Sequence, residues 1–202
     1  MRDEDRERPF EIGSMLVLKK GGACGPEVVS ELEALRARYP RIPLIWNHLG
    51  AALGAAGDQA SAERLVEEVH REFPDHLFGF VSYVRLCILR GEMDVAEELI
   101  GRKLFIGAMY PDRERFHVSE VLSYTSVVIV YLFMIGEADR ARSAFKIMED
   151  LAPEHLETTR IRYLLQQPEL SMLAGAIFEM GRRSKRGRTV SSRLSQDEQR
   201  RG

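Results

Sequence analysis

The sequence has few of the features that mark secreted, metal-binding or membrane-spanning proteins. It contains two cysteines in 202 residues, Cys24 and Cys87. They form no CxxC pair and have no histidine at ligand spacing, so we expect both to be reduced and predict no metal site. The longest apolar run, Val127–Ile135, is about half of the roughly 18 residues that a membrane span needs. The N-terminus carries mixed charges and lacks a signal-peptide core, so we expect a cytoplasmic protein that does not enter a membrane.

The sequence also lacks the motifs that carry catalysis. It contains no phosphate-binding loop, nucleophile elbow or HExxH motif, and its five histidines are scattered along the chain. We therefore predict a non-catalytic protein that needs no cofactor. An enzyme would have to use a group of polar residues that lie close together in the sequence, namely Arg113, Arg115, His117 and Glu120.

A helical hairpin pattern organises the chain between Trp46 and Pro74. Large residues are expected to lie between two helices, and the small residues Gly50 and Ala62 to let those helices approach closely. A glycine makes the turn between the helices, and a proline ends the second one. The pattern consists of Trp46, Leu49, Gly50, Gly57, Asp58, Ala62, Val66 and Pro74.

The pattern recurs twice farther along the chain. A second unit beginning at Leu77 has its turn at Gly91, and its second helix is predicted over 94–105. A third unit beginning at Leu122 has its turn at Gly136, which leaves residues 111–121 as an insertion. An alternative is that this insertion extends the first helix of the unit backwards, since Phe116, Val118 and Val121 continue its apolar side. The β-branched residues 127–130 favour a strand by propensity. The register of the repeat predicts a helix there, and packing commonly overrides propensity.

The spacing of these residues resembles the tetratricopeptide repeat family. The resemblance implies an all-α fold, a right-handed superhelix of tandem helix-turn-helix repeats at 43–76, 77–110 and 122–155. Residues 9–42 are expected to form a degenerate first repeat, in which 26–39 is the second helix. The alternative is that the helix over 26–39 is an unrelated capping helix. Capping helices over 156–181 complete a domain spanning 9–181, between a flexible N-terminus (1–8) and a basic disordered tail (182–202).

The resemblance further implies that the first helix of each repeat lines a concave groove for a partner peptide or helix. The carboxylate clamp of some family members is not expected, because its matching positions hold Asn47, Ala51, Ser82, Ser123 and Val127. An alternative is that the apolar groove positions pack against neighbouring repeats. The groove positions carried over are Leu44, Asn47, Ala51, Gly54, Phe78, Val81, Arg85, Ile88, Ser123, Ser126, Val130 and Phe133.

The favoured function is therefore a protein-interaction scaffold or chaperone-like adaptor with a mostly apolar groove. The alternative is a nucleic-acid- or ribosome-associated factor, since the tail carries eight basic residues against two acidic ones. This tail has no aromatic residue to stack on bases, which favours a disordered, solubilising tail over a nucleic-acid-binding one. The candidate nucleic-acid contacts are Arg182, Arg183, Lys185, Arg186 and Arg188.

Overall fold

The computed structural model describes residues 25–167, 169–170, 172–173 and 175–176. Every regular element within these ranges is a helix, which confirms the all-α prediction. The predictions for residues 1–24 and 177–202, including the basic tail, lie outside the described residues. The chain divides between Arg90 and Gly91 into two compact units, a boundary that falls inside the predicted 77–110 repeat.

Four helices form the described part of the first unit. Neighbouring helices in the sequence pack against each other, and the second also contacts the fourth. The helices are α1 (Pro26–Arg38), α2 (Pro43–Ala55), α3 (Gln59–Glu72) and α4 (Leu77–Leu89).

Local sequence signals explain where these helices start. Pro26 and Pro43 each occupy the first turn of a helix, where the missing backbone N–H costs nothing and the fixed φ suits the helix. The carboxylate of Asp58 accepts a hydrogen bond from the backbone N–H of Ser61 at 3.0 Å and caps α3. A hydrogen bond with the side chain of Ser61, followed by this backbone hydrogen bond, lowers the pKa of Asp58.

The core of the first unit is built around Trp46, whose side chain is 8% exposed. Its indole Nε1–H donates to the carbonyl oxygen of Pro40 at 3.0 Å. The ring of Phe73 meets the indole edge-on at 5.4 Å between centroids, and the guanidinium of Arg36 lies 3.8 Å from the indole centroid. The predicted burial of this tryptophan is confirmed.

The second unit is arranged around one long helix. Up to residue 165, its helices are α5 (Met93–Ile100), α6 (Ile106–Met109), α7 (Val118–Met134), α8 (Ala138–Leu151) and α9 (Leu156–Leu165). Helix α7 contacts the other four, and α9 also packs on α8. The described residues between 169 and 176 are helical as well.

One predicted boundary in this unit is wrong. Helix α5 ends at Ile100 and does not reach Phe105, because Gly101 adopts a φ of 55° that ends the helix. Helix α7 begins at Val118, within the predicted insertion over 111–121, which agrees with the alternative that the insertion extends this helix backwards. The short helix α6 was not predicted.

Helix α7 contains the β-branched residues 127–130, as the repeat register predicts. Val127, Val128 and Ile129 are each 0% exposed, so their packing outweighs the preference for a strand. The buried Tyr124 donates its hydroxyl hydrogen to the carbonyl oxygen of Lys103 at 2.6 Å. Burial raises the pKa of this tyrosine.

The predicted glycine turns are confirmed. Gly57, Gly91 and Gly136 have φ values of 87°, 73° and 85°, a left-handed conformation that glycine adopts without steric cost. After α2, the N–H of Asp58 donates to the carbonyl of Leu53 at 3.0 Å. The corresponding bond after α7 joins residues 137 and 132 at 2.8 Å. Both units therefore use the same Schellman turn.

Candidate functional site

A cleft of about 290 Å³ lies between α2, α3 and α4 of the first unit. Most of its lining is apolar, and it is open to solvent. We refer to it as the α2–α4 cleft. Its lining residues are Trp46, Asn47, Gly50, Ala51 and Gly54 from α2, Gln59, Ala62, Glu63, Leu65, Val66 and Val69 from α3, and Ser82, Arg85, Leu86 and Leu89 from α4.

The wall formed by α2 is small and uncharged. Gly50, Ala51 and Gly54 line the cleft along about two turns of this helix, and α2 contains no aspartate, glutamate, lysine or arginine. A Cβ added at Gly50 would lie 3.8 Å from Cδ2 of Leu65, an ordinary van der Waals distance. The fold therefore has room for a methyl group at Gly50, and the expectation that small residues at Gly50 and Ala62 let the two helices approach closely stays a prediction.

A close approach of two helices lies at Gly79 on α4. A Cβ at this position would come within 2.7 Å of Cγ1 of Val69 on α3, closer than atoms in folded proteins pack. The sequence carried a signal for this contact, because Gly79 stands inside an apolar helical segment where glycine is unfavourable.

The wall formed by α4 supplies the polar groups. Ser82 and Arg85 are half-buried there, and Leu89 is 75% exposed at the rim. A guanidinium offers five hydrogen-bond donors in a planar fork that matches a carboxylate. The cleft therefore combines apolar surface with one cationic side chain.

The acidic residue of the cleft, Glu63, is held by Arg90 and Gln59. Arg90 donates to the Glu63 carboxylate from Nη2 at 2.8 Å and from Nε at 3.2 Å, and it also donates to Glu67. The hydrogen bond from Gln59, followed by that from Arg90, lowers the pKa of Glu63. Arg90 thus offsets the negative charge of Glu63 at this edge of the cleft and links the C-terminal end of α4 to α3.

The predicted groove residues of the first unit fall into three groups: those that line the cleft, those that lie outside it and those that are buried. Asn47, Ala51, Gly54 and Arg85 line the α2–α4 cleft. Leu44 is 40% exposed and Phe78 is half-buried, but neither lines it. The remaining two, Val81 and Ile88, are only 4% and 5% exposed. They correspond to the alternative in which apolar positions serve packing, and we do not count them as contact residues.

The second unit shows the same division. Ser126 and Phe133 are 0% and 2% exposed, so they too are packing residues, and the hydroxyl of Ser126 donates to the carbonyl of Ser123. Ser123 and Val130 are half-buried. Sequence reasoning placed all four on a binding face.

The polar group considered for an enzyme forms the start of α7. The carboxylate of Glu120 accepts a hydrogen bond from the backbone N–H of His117 at 2.9 Å and two from the guanidinium of Arg113. That guanidinium lies 4.5 Å from the ring centroid of Phe116 and donates to the carbonyl of Arg115. The hydrogen bond with Arg113 lowers the pKa of Glu120. These contacts cap the N-terminus of α7.

The described residues contain no group of three histidine, cysteine or acidic side chains that is arranged to hold a metal ion. Cys87 is buried, with 1% of its surface exposed. Across the described ranges, none of the helices has both the length and the apolar character needed to cross a bilayer. The candidate nucleic-acid contacts at 182–188 lie outside these ranges.

The fold and site therefore define an all-α protein built from helical hairpins, with an apolar cleft in its first unit. Compared with protein-family models, curated proteins and solved structures, the chain matches none of them.

Proposed function

We propose that the chain is a tetratricopeptide-like interaction scaffold, or a chaperone-like adaptor, built as a right-handed superhelix of repeats. It binds a peptide or helix of a partner protein in the α2–α4 cleft. Four of the residues assigned to the groove from the resemblance line this cleft, which supports the proposal: Asn47, Ala51, Gly54 and Arg85. The open apolar lining favours an apolar side chain of the partner.

The observation that carries the proposal is the pair of glycines in the α2 wall. Glycine in a helix costs about 0.5–1 kcal/mol relative to alanine. A Cβ at Gly50 or Gly54 would meet its nearest neighbour at 3.8 or 4.0 Å, so packing inside the protein does not require either glycine. A ligand that lies close to the backbone of α2 does require small residues there.

The chemistry of the opposite wall indicates what accompanies the apolar group. Arg85 and Ser82 stand one turn apart on α4 and line the cleft. Their donors suit a carboxylate or a backbone carbonyl of the partner. A volume of about 290 Å³ lies near the lower end of small-molecule sites, which begin at about 300 Å³. The cleft therefore accepts one or two side chains of a segment that continues along the surface.

The proposal is tested by filling the cleft. Ala51 and Ala55 are both exposed on α2, but only Ala51 lines the cleft. Substitution by leucine preserves helix propensity at either position. We expect Ala51→Leu to lose bound partner proteins in quantitative capture from cell extract, by tenfold or more (about 1.4 kcal/mol). The matched variant Ala55→Leu should retain them. Equal capture by both variants would show that partners bind elsewhere.

A charge reversal in the other wall provides a second test. Arg85→Glu should weaken the same partners that Ala51→Leu loses, because it places a carboxylate where a donor is needed. Circular dichroism would establish that the variant keeps the helical content of the wild type. If a folded Arg85→Glu variant binds these partners with unchanged affinity, the polar part of the proposal is wrong.

A further inference from the structure

One end of the α2–α4 cleft carries carboxylates, unlike the rest of its lining. Helix α2 ends there, α3 begins there, and α4 ends beside them. We refer to this region as the Glu63 end. Its lining residues are Gly54 of α2, Gln59 and Glu63 of α3, and Leu89 of α4.

Two carboxylates share one guanidinium at the Glu63 end. Arg90 donates to Glu63 through Nε and Nη2 and to Glu67 through Nη1. The hydrogen bond with Glu67, followed by those with Glu63, raises the pKa of Arg90. The other charged residues at the start of α3, Asp58 and Arg64, have opposite signs. Within the first unit, the Glu63 end therefore carries one more negative charge than positive charge.

The two carboxylates also retain acceptor positions that the fold does not use. A carboxylate offers about four lone-pair sites. Glu63 accepts two hydrogen bonds from Arg90 and one from Gln59. Glu67 accepts one, at Oε1, and its Oε2 accepts none from the described residues. The side chains of Glu63 and Glu67 are 29% and 42% exposed, so the donors of a ligand can reach both.

Leu89 adds an apolar surface beside these carboxylates. Its side chain is 75% exposed, although it lines the cleft and precedes Arg90 in the chain. Covering a leucine side chain favours binding, because apolar area is removed from water. Lysine and arginine combine a methylene stem that packs on such a surface with a cationic head that stays at its edge. A long basic side chain is therefore complementary to both features of the Glu63 end.

We propose that the partner segment in the α2–α4 cleft, whose binding there is the proposed function on which this inference rests, carries a lysine or arginine close to its apolar residue. The stem of this basic side chain packs on Leu89, and its head donates to Glu67 and Glu63. Along α2, Ala51 and Gly54 are about 4.5 Å apart, and an extended chain advances about 3.3 Å per residue. The basic residue therefore lies within about three residues of the apolar one.

Arg85 opposes a basic side chain farther along the cleft. It lines the cleft one turn before Leu89 on α4, so a cation placed beside it meets a like charge. The Glu63 end attracts the same cation. The charges of the cleft therefore fix the direction in which the partner segment lies.

A library of random peptides about ten residues long tests the composition of the segment before a natural partner is known. The library is displayed on phage and selected on the immobilised full chain and, in parallel, on Ala51→Leu. Peptides that bind the wild type and are lost on Ala51→Leu occupy the cleft. We expect these peptides to combine an apolar residue with a lysine or arginine within three positions of it.

A charge swap then locates the contact of the basic residue. A selected peptide and its version with glutamate in place of the basic residue are labelled and titrated at low salt by fluorescence anisotropy. The chains compared are the wild type, Glu67→Lys and the matched control Glu68→Lys. Glu68 is the next residue of α3, but it pairs with Arg36 at 2.8 Å and does not line the cleft. Its reversal changes the net charge equally at another place.

Exposed ion pairs contribute modestly to binding, and salt screens them. We therefore expect Glu67→Lys to weaken the basic peptide by about three- to fivefold, and to bind the glutamate peptide more tightly than the wild type does. Glu68→Lys should bind the basic peptide as the wild type does. If Glu67→Lys loses its helical circular dichroism, Glu67→Gln replaces it and should weaken the basic peptide by about twofold.

The outcomes separate this inference from the proposed function. Cleft-bound peptides without enriched lysine or arginine would overturn the inference and leave the proposed function standing. A folded variant at Glu67 that binds the basic peptide with unchanged affinity would do the same. A library in which no peptide depends on Ala51 would contradict the proposed function, and the inference with it.

Discussion

Helices α2 and α7 end in the same Schellman turn, but the protein covers them to different extents. Helix α7 buries ten of its 17 residues, including the polar Thr125 and Ser126. Helix α2 buries four of its 13 residues, and part of its remaining surface forms a wall of the α2–α4 cleft. A shared turn thus defines where a helix ends and leaves open how much of its surface other residues cover.

The glycines show the same contrast at atomic scale. Gly175 in the second unit is buried, and a Cβ there would lie 2.8 Å from Cα of Gly136 in the turn after α7. Gly50 in the first unit has room for that atom. The first glycine is required by packing, whereas the second keeps a surface open.

The largest effect is expected from truncating the centre of the first unit. Trp46→Ala removes a buried indole together with its hydrogen bond to Pro40, and should lower the free energy of unfolding by about 3–5 kcal/mol. Chemical denaturation followed by circular dichroism measures the change. Trp46→Phe, which keeps an aromatic ring, should cost less. A loss below about 1 kcal/mol for the alanine variant would show that the first unit is not organised around this residue.

A smaller loss is expected where the second unit is tightly packed. Gly175→Ala forces a methyl group against backbone atoms of residue 136, and such overpacking typically costs about 1–3 kcal/mol. The free energy of unfolding should fall accordingly, and Gly54→Ala in the first unit serves as the matched control. An unchanged Gly175→Ala variant would mean that the helical residues near 175 pack more loosely than described.

A gain in stability, rather than a loss, is expected from a substitution in the cleft. Gly50→Ala should raise the free energy of unfolding by about 0.4–1 kcal/mol, because alanine restricts the unfolded chain and the fold has room for its methyl group. Gly79→Ala, which meets Val69 at 2.7 Å, should instead destabilise the same unit. Thermal melts of the two variants compare them directly. Destabilisation by Gly50→Ala would instead support the close contact between two helices that the sequence predicts at this residue.

The smallest effect concerns the pH dependence of the first unit. Burial lowers the pKa of His70 below its ordinary value of about 6.5. The unfolded chain then binds the proton more readily, so this residue contributes stability above that value and loses it as the pH falls. His70→Phe keeps a ring against Tyr83 without titrating. Its Tm should change less between pH 7.5 and 5.5 than that of the wild type, and an identical change would contradict the assignment.

Much of the helical framework was predictable because its signals are local. A glycine that must adopt a positive φ, as at Gly57 or Gly136, and a proline in a first helical turn, as at Pro26, depend on their immediate neighbours in the chain. The histidines that cap helices also had a local signal at two positions, since His76 and His117 each stand directly before an apolar helical segment. That signal was missed because histidine is uncommon among helix caps.

The binding surface was less predictable because it depends on residues distant in the sequence. Val81 and Phe133 are apolar residues at positions assigned to a groove, and only the packing around them shows that they are buried. Gly50 was assigned to a close helix contact, and the sequence did not show that it also lines the cleft. Helical periodicity identifies an apolar face, but it does not show whether another part of the protein covers that face.

The position of Trp46 makes the cleft observable by optical means. This residue is the single tryptophan of the chain, and it forms part of the cleft wall. A molecule entering the cleft changes the polarity and the quencher access of the indole, so its emission spectrum reports occupancy without an attached label. Libraries of peptides can therefore be screened by fluorescence titration of the unmodified protein, before any natural partner is known.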